Sequence, residues 1–170
     1  MSPCDIPPGR PDGLPPATRL NAEGRPVVDA EQYTPYFLTS VYSSLSRGAS
    51  SIYLKRFGVG VTEWRVLSWI ATEPGVTASR ICEVIALDKA AVSRAVAKLL
   101  SMDMLIVTSP TRDPRRKSLR LNEAGQQLHD QILEIALARE AQLIDGVDPD
   151  DLAAFLRVMR IMRRNVETLT

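Results

Sequence analysis

The sequence predicts a mainly α fold with one small β-hairpin, ordered helix, helix, short helix, helix, hairpin, helix, helix. Three observations carry this. From Tyr36 onward, apolar residues recur mostly at steps of three and four, the period of a helix that buries one face. The period changes once, at Leu105–Thr108 and Ser118–Leu121, to β-favouring and alternating residues. Thr, Asp and Asn stand ahead of most helical stretches, where their side-chain oxygens suit helix N-caps.

Residues 1–35 stand apart. Eight of the twelve prolines fall there and apolar periodicity is absent, so the expectation is a flexible or extended tail. A first helix is expected from Tyr36, through Leu38, Val41, Leu45, Ala49, Ile52 and Tyr53, to about Phe57, with Gly58 or Gly60 ending it. Thr62 is the expected N-cap of a second helix, with Trp64, Leu67, Ile70 and Ala71, that stops at Pro74-Gly75. Thr77 caps a short third helix with Ile81, Val84 and Ile85 inward, and Asp88 caps a fourth that runs to about Asp103. The apolar stripe of the fourth is Val92, Val96, Leu99 and Leu100. The two strands flank the loop SPTRDPRRK. Asn122 caps a long helix through Leu128, Ile132, Ile135 and Leu143; Asp148 caps a last one through Leu152, Phe155, Leu156, Met159, Met162 and Val166. A short helix, a tight turn, a second helix and then a β-hairpin make a winged helix-turn-helix. The expected organisation is a tail at 1–35, an N-terminal helix at 36–61, a helix-turn-helix lobe at 62–121 and C-terminal helices at 122–170.

The totals exclude several classes. A net charge of +1 means that any nucleic-acid affinity must come from local clustering. Two cysteines, Cys4 and Cys82, do not make a disulfide framework, and one histidine gives no metal-ligand spacing. No metal or other cofactor is expected. No apolar run approaches the roughly 20 residues of a membrane span, and the N-terminus lacks a signal-peptide shape; a cytoplasmic protein is expected. No nucleophile elbow, Gly-rich phosphate loop or HExxH appears, so no enzyme is expected. Asp148-Pro149-Asp150-Asp151 reads as a helix N-terminus with favourable charge, not a metal site.

Charge is segregated. Between residues 88 and 120 there are eight basic residues and three acidic ones, a net of +5 inside a chain of +1. At 100° per residue, Ala90, Ser93, Arg94, Ala97 and Lys98 share one face of the fourth helix, with Lys89 at its start. Alanines between the polar residues let a surface approach closely, and a major groove about 12 Å wide admits a helix. Arg94 is the candidate for a guanine edge, because a guanidinium pairs both acceptors at once. Ser93 suits a base or a phosphate; Lys89 and Lys98 suit phosphates. The hairpin tip adds Arg112, Arg115, Arg116 and Lys117, suited to a narrow, negative minor groove.

The stretch from Thr77 to Leu128, closest in LDKAAVSRAVAKLLSMDMLIVTSPTRDPRRKSLRLNEAGQQL, resembles the MarR family of winged-helix transcription regulators. Asp113-Pro114-Arg115 matches the family's Asp-x-Arg at the wing, Leu119 and Leu121 its alternating strand, and Leu121-Asn122-Glu123-Ala124-Gly125 its Leu-Thr-x-x-Gly. Asn122 replaces the usual threonine, and Met104 stands where the family has a glycine. Thr62–Leu67 also looks like the family's second helix, and the resemblance covers about residues 36–168.

The resemblance implies a homodimer in which the first and the last two helices interlace. Such a dimer would read a pseudo-palindromic double-stranded DNA operator and repress. It also implies a small aromatic carboxylate effector bound between the dimer helices and the DNA-binding lobe, with Arg47, Trp64, Arg65, Tyr36 and Tyr42 as the residues that could serve. Some relatives sense oxidants through a cysteine in the first helix; none lies there, and Cys82 is expected to be an inert buried thiol. His129 is expected on the surface. The alternative is a winged-helix module that binds protein and not DNA; the retained Arg94, Lys98 and Arg115 argue against it.

Overall fold

A computed structural model describes residues 10, 12–108 and 117–169. The chain forms two compact units, Met1–Ile52 and Tyr53–Thr170, and the boundary falls inside the first helix.

The N-terminal unit holds an antiparallel hairpin, β1 (Thr18–Leu20) and β2 (Pro26–Val28), with Thr18 opposite Val28 and Leu20 opposite Pro26. The lack of apolar periodicity did not predict it, because turn chemistry holds it. Asn21 Oδ1 accepts the N–H groups of Glu23 and Arg25 at 3.0 and 2.9 Å, and Gly24 takes the positive φ of 73° that the turn needs. Helix α1 (Thr34–Phe57) begins two residues before Tyr36. Pro35 lies in its first turn, where no amide donor is required. The helix ends at Gly58, whose φ is 71°.

The second unit is built from α2 (Val61–Thr72), β3 (Val76–Thr77), α3 (Ala78–Ile85), α4 (Lys89–Ser101), β4 (Leu105–Thr108), β5 (Ser118–Leu121), α5 (Glu123–Leu143) and α6 (Pro149–Val166). Helix α2 is the hub: α3, α4, α5 and β5 all pack on it. Val66, Leu67, Ile70, Ile81, Val92, Leu99 and Ile132 are fully sealed in this core. Each such side chain contributes about 1.5–3 kcal/mol over its exposed state. The sheet has the order β3-β5-β4, all antiparallel, with Leu105 opposite Leu121 and Val76 opposite Leu119. The two-residue β3 escaped the sequence reading because it is too short to show a period.

Four caps stand where the sequence puts them: Thr77, Asp88, Asn122 and Asp148 each accept an amide of the following turn. Thr62 does not cap α2. The N-cap is Gly60, and Glu63 Oε2 reaches back to accept its N–H at 2.8 Å. That is the carboxylate half of a capping box, which leaves Thr62 inside the helix. Helix α4 stops at Ser101, two residues short of Asp103, which takes a φ of 56° and turns the chain into β4. On α4, Ala95 is buried while Leu100 is 40% exposed. Ala95 lies between Val92 and Leu99 on the inward arc; Leu100 is one step past it.

The root of the hairpin and the start of α5 meet without slack. Met104 O accepts the Asn122 N–H at 3.2 Å, and Asn122 Nδ2 donates to Asp103 O at 2.6 Å. Gly125 is buried against the same corner, and a Cβ there would run into the Met104 carbonyl oxygen.

Candidate nucleic-acid interface

The site begins with a cap. Asp88 Oδ1 accepts the Ala91 N–H at 2.8 Å and sets where α4 starts. Val92, Ala95 and Leu99 then hold one face of α4 in the core. Geometry alone therefore turns Ala90, Ser93, Arg94 and Ala97 to the outside, and all four are exposed, as is Lys89. Helix α3, seated by Ile81, packs against α4 and completes the helix-turn-helix.

Lys98 differs from its neighbours. Its side chain is 37% exposed and its Nζ lies 3.9 Å from Glu63 Oε1, so α2 already holds part of its charge. Lys117 is exposed at the base of the hairpin, where the Thr108 and Ser118 hydroxyls meet at 2.6 Å. Arg112, Arg115, Arg116 and the Asp113-Pro114-Arg115 motif lie outside the described residues.

Cys82 is half-buried, not buried, on the wall of a small cavity of about 170 Å³ between α3 and α4, beside Ser79, Lys89 and Ser93. On so short a helix Ile81 alone fills the core, and the next residue turns 100° away from it.

The five residues proposed for an effector divide between the units. Tyr36, Tyr42 and Arg47 are exposed in the N-terminal unit; Arg47 donates to Ser44 Oγ at 3.4 Å, and Tyr36 lines a depression there with Phe37. Trp64 and Arg65 lie in the second unit and share a cleft of about 390 Å³ between α2 and the end of α3. Ser68 and Trp69 complete the α2 wall. They follow Trp64 and Arg65 at helical steps, a signal hidden in the sequence because α2 has apolar residues on its other faces too. The Arg65 guanidinium donates to the carbonyl oxygen of Ile85, the last residue of α3.

Trp64 is also the middle of an aromatic stack. The Tyr53 ring meets it in an edge-type contact at 6.2 Å between centroids, and the His129 ring tilts over it at 5.4 Å. His129 is therefore not a surface residue: its side chain is 13% exposed, because it follows Leu128 on the buried edge of α5. Asp130 Oδ1 lies 2.8 Å from His129 Nδ1 and accepts from Gln126 Nε2, also at 2.8 Å. These two bonds hold the Asp130 carboxyl below its usual range. Burial raises the Tyr53 phenol, and the charge of Arg139 partly opposes the rise.

A winged helix-turn-helix whose second helix presents a small-residue, cationic face is the class of protein that these elements define. Residues 57–116 of the chain match the model of the MarR family. The HTH-type transcriptional regulator PetP of Rhodobacter capsulatus is 25% identical over 109 residues, which span 64% of this chain and 66% of that protein. A MarR/EmrR family transcriptional regulator from Acinetobacter sp. ADP1 is 27% identical, with a TM-score of 0.78 over 84% of this chain and all of that one. The S. aureus MepR–DNA complex has the same fold, with a TM-score of 0.71 over 81% of this chain and 99% of that one at 16% identity. The family and these relatives are not enzymes. Among the described residues, no helix is long and apolar enough to cross a membrane.

Proposed function

We propose that this protein is a cytoplasmic, sequence-specific regulator of transcription that binds double-stranded DNA. It acts as a homodimer on a pseudo-palindromic operator, represses, and lets go when a small aromatic carboxylate binds. The observation that carries the DNA-binding reading is the outer face of α4, where Lys89, Ser93 and Arg94 are exposed among alanines while the opposite face is sealed. Arg94 reads a guanine edge; Lys89, Lys98 and the wing residues Arg112, Arg115, Arg116 and Lys117 meet phosphates or the minor groove. Support for the dimer comes from α6, none of whose apolar residues is buried in one copy. Support for the effector comes from the indole of Trp64 and the guanidinium of Arg65 in one cleft; Tyr36, Tyr42 and Arg47 are further candidates on α1.

The test is fluorescence anisotropy with the DNA upstream of the protein's own coding region, at stated salt. Arg94→Ala is expected to cost about 1–3 kcal/mol and to relax base preference at one position per half-site. Arg115→Ala is expected to weaken all sequences alike and to reduce the salt slope by about 1. A wild-type protein with no preference for that DNA over a scrambled duplex of equal length would sink the reading.

A further inference from the structure

One carboxylate near the start of α2 serves two partners. Glu63 Oε2 accepts the Gly60 N–H at 2.8 Å and so closes the cap of α2. Its Oε1 lies 3.9 Å from Lys98 Nζ, on the helix α4 that packs against α2. The Glu63 side chain is only 17% exposed and is bonded to the cap, so the anionic end of this pair is anchored. Lys98 differs in this from the other cations of α4. Lys89 and Arg94 are exposed, and among the described residues neither has an ion-pair partner.

A cation strengthens binding to a duplex mainly by releasing an ion condensed on a phosphate. A lysine that starts in water releases that ion and leaves nothing behind. Lys98 starts beside an anion. If it stays there, it releases no ion. If it moves to a phosphate, Glu63 is left bare and draws a cation from solution in its place. Either way the net release is close to zero. We infer that Glu63 is a positioning residue that sets the strength of DNA binding: its anchored carboxylate cancels the sequence-independent contribution of Lys98. This rests on the DNA-binding reading above and refines one phosphate contact in it. The attraction from α4 then comes from Lys89 and Arg94, both in the first half of the helix, the part that leads into a major groove.

The experiment measures fluorescence anisotropy of the full chain on the DNA upstream of its own coding region and on a scrambled duplex of equal length, from about 50 to about 200 mM KCl. Glu63→Gln removes the charge and keeps an oxygen for the Gly60 N–H, since glutamine serves at the same position of a capping box. It should steepen the slope of log affinity against log salt by about 0.9 on both duplexes. Over that range its affinity should fall roughly three- to fourfold more than that of wild type. Lys98→Met alone should leave the wild-type slope unchanged. Added to Glu63→Gln, it should bring the slope back to the wild-type value; a merely structural effect of Glu63→Gln would persist in the double variant. If Glu63→Gln does not fold, Lys98→Met decides. A wild-type slope in Glu63→Gln, a steeper slope that survives in the double variant, or a loss of about 0.9 in Lys98→Met alone would overturn the inference and leave the DNA-binding reading standing. If wild type bound neither duplex, that reading would fall and the role of Glu63 with it.

Discussion

Tyr53 packs its ring into the core at 2% exposure, in an edge-type contact with Trp64, and burial favours its uncharged phenol. The folded value therefore lies above the usual 10.0. A raised value on this group means stability that is complete below the unfolded value and is lost as pH climbs through the folded one. The other three tyrosines, Tyr33, Tyr36 and Tyr42, are exposed. Absorbance at alkaline pH should show a late component from Tyr53, together with loss of structure. Tyr53→Phe should delete that late component; its persistence would refute the assignment. Asp130 has the opposite sign: its lowered carboxyl adds stability above the unfolded value and loses it as pH falls through the folded one. It is exposed, so water screens that effect. At this scale the sequence is least legible. His129, Leu100 and Cys82 each sit one step from a buried position, where 100° of helix rotation decides between core and water. Composition does not say on which side of that edge a side chain lies.

At the scale of the element, the junction of Met104 and Gly125 is the tightest joint described. Gly125→Ala adds one methyl where a backbone oxygen already stands. It should lower unfolding free energy by about 1–3 kcal/mol, the usual cost of overpacking. Denaturant melts would show it as a lower midpoint at unchanged slope; an unchanged midpoint would mean that the corner yields. Glycine at 125 was legible as part of a motif, but its physical reason is a contact with a residue 21 positions earlier, which no local pattern displays. Capping is the converse case. Thr77, Asp88, Asn122 and Asp148 serve amides two or three residues on, so local chemistry suffices to find them. Thr62 misled because a glycine with a carboxylate three residues later does the same work without a hydroxyl. The hairpin at 18–28 was lost for a related reason: its information sits in one asparagine and one glycine, not in an apolar repeat.

At the scale of the molecule, the open apolar faces matter most. On α6, Phe155, Leu156, Ile161 and Val166 are between 44 and 59% exposed. Phe155, Leu156 and Val166 share one arc of the helix, and exposed apolar surface of that kind supports the dimer reading. Under the dimer reading, Phe155→Glu should shift sedimentation from a two-chain to a one-chain species, and in a two-fold interface the substitution counts twice. Wild-type protein that sediments as a single chain at micromolar concentration would overturn the dimer. The exposed wall of α6 was legible as an apolar stripe, but a stripe facing a partner and a stripe facing the chain's own core have the same period. The cationic outer arc of α4 was more legible because it required two signals at once, a cap that fixes the phase of α4 and charges on the arc opposite Val92 and Leu99.

The corner at Met104 also governs how force passes through the unit. Asn122 bonds the strand root to the start of α5, so the base of the hairpin and that helix share one anchor. Helix α5 has 21 residues, which at about 1.5 Å each gives an arm of roughly 30 Å. A tilt of that arm is expected to carry the base of the hairpin with it through the shared anchor at Asn122.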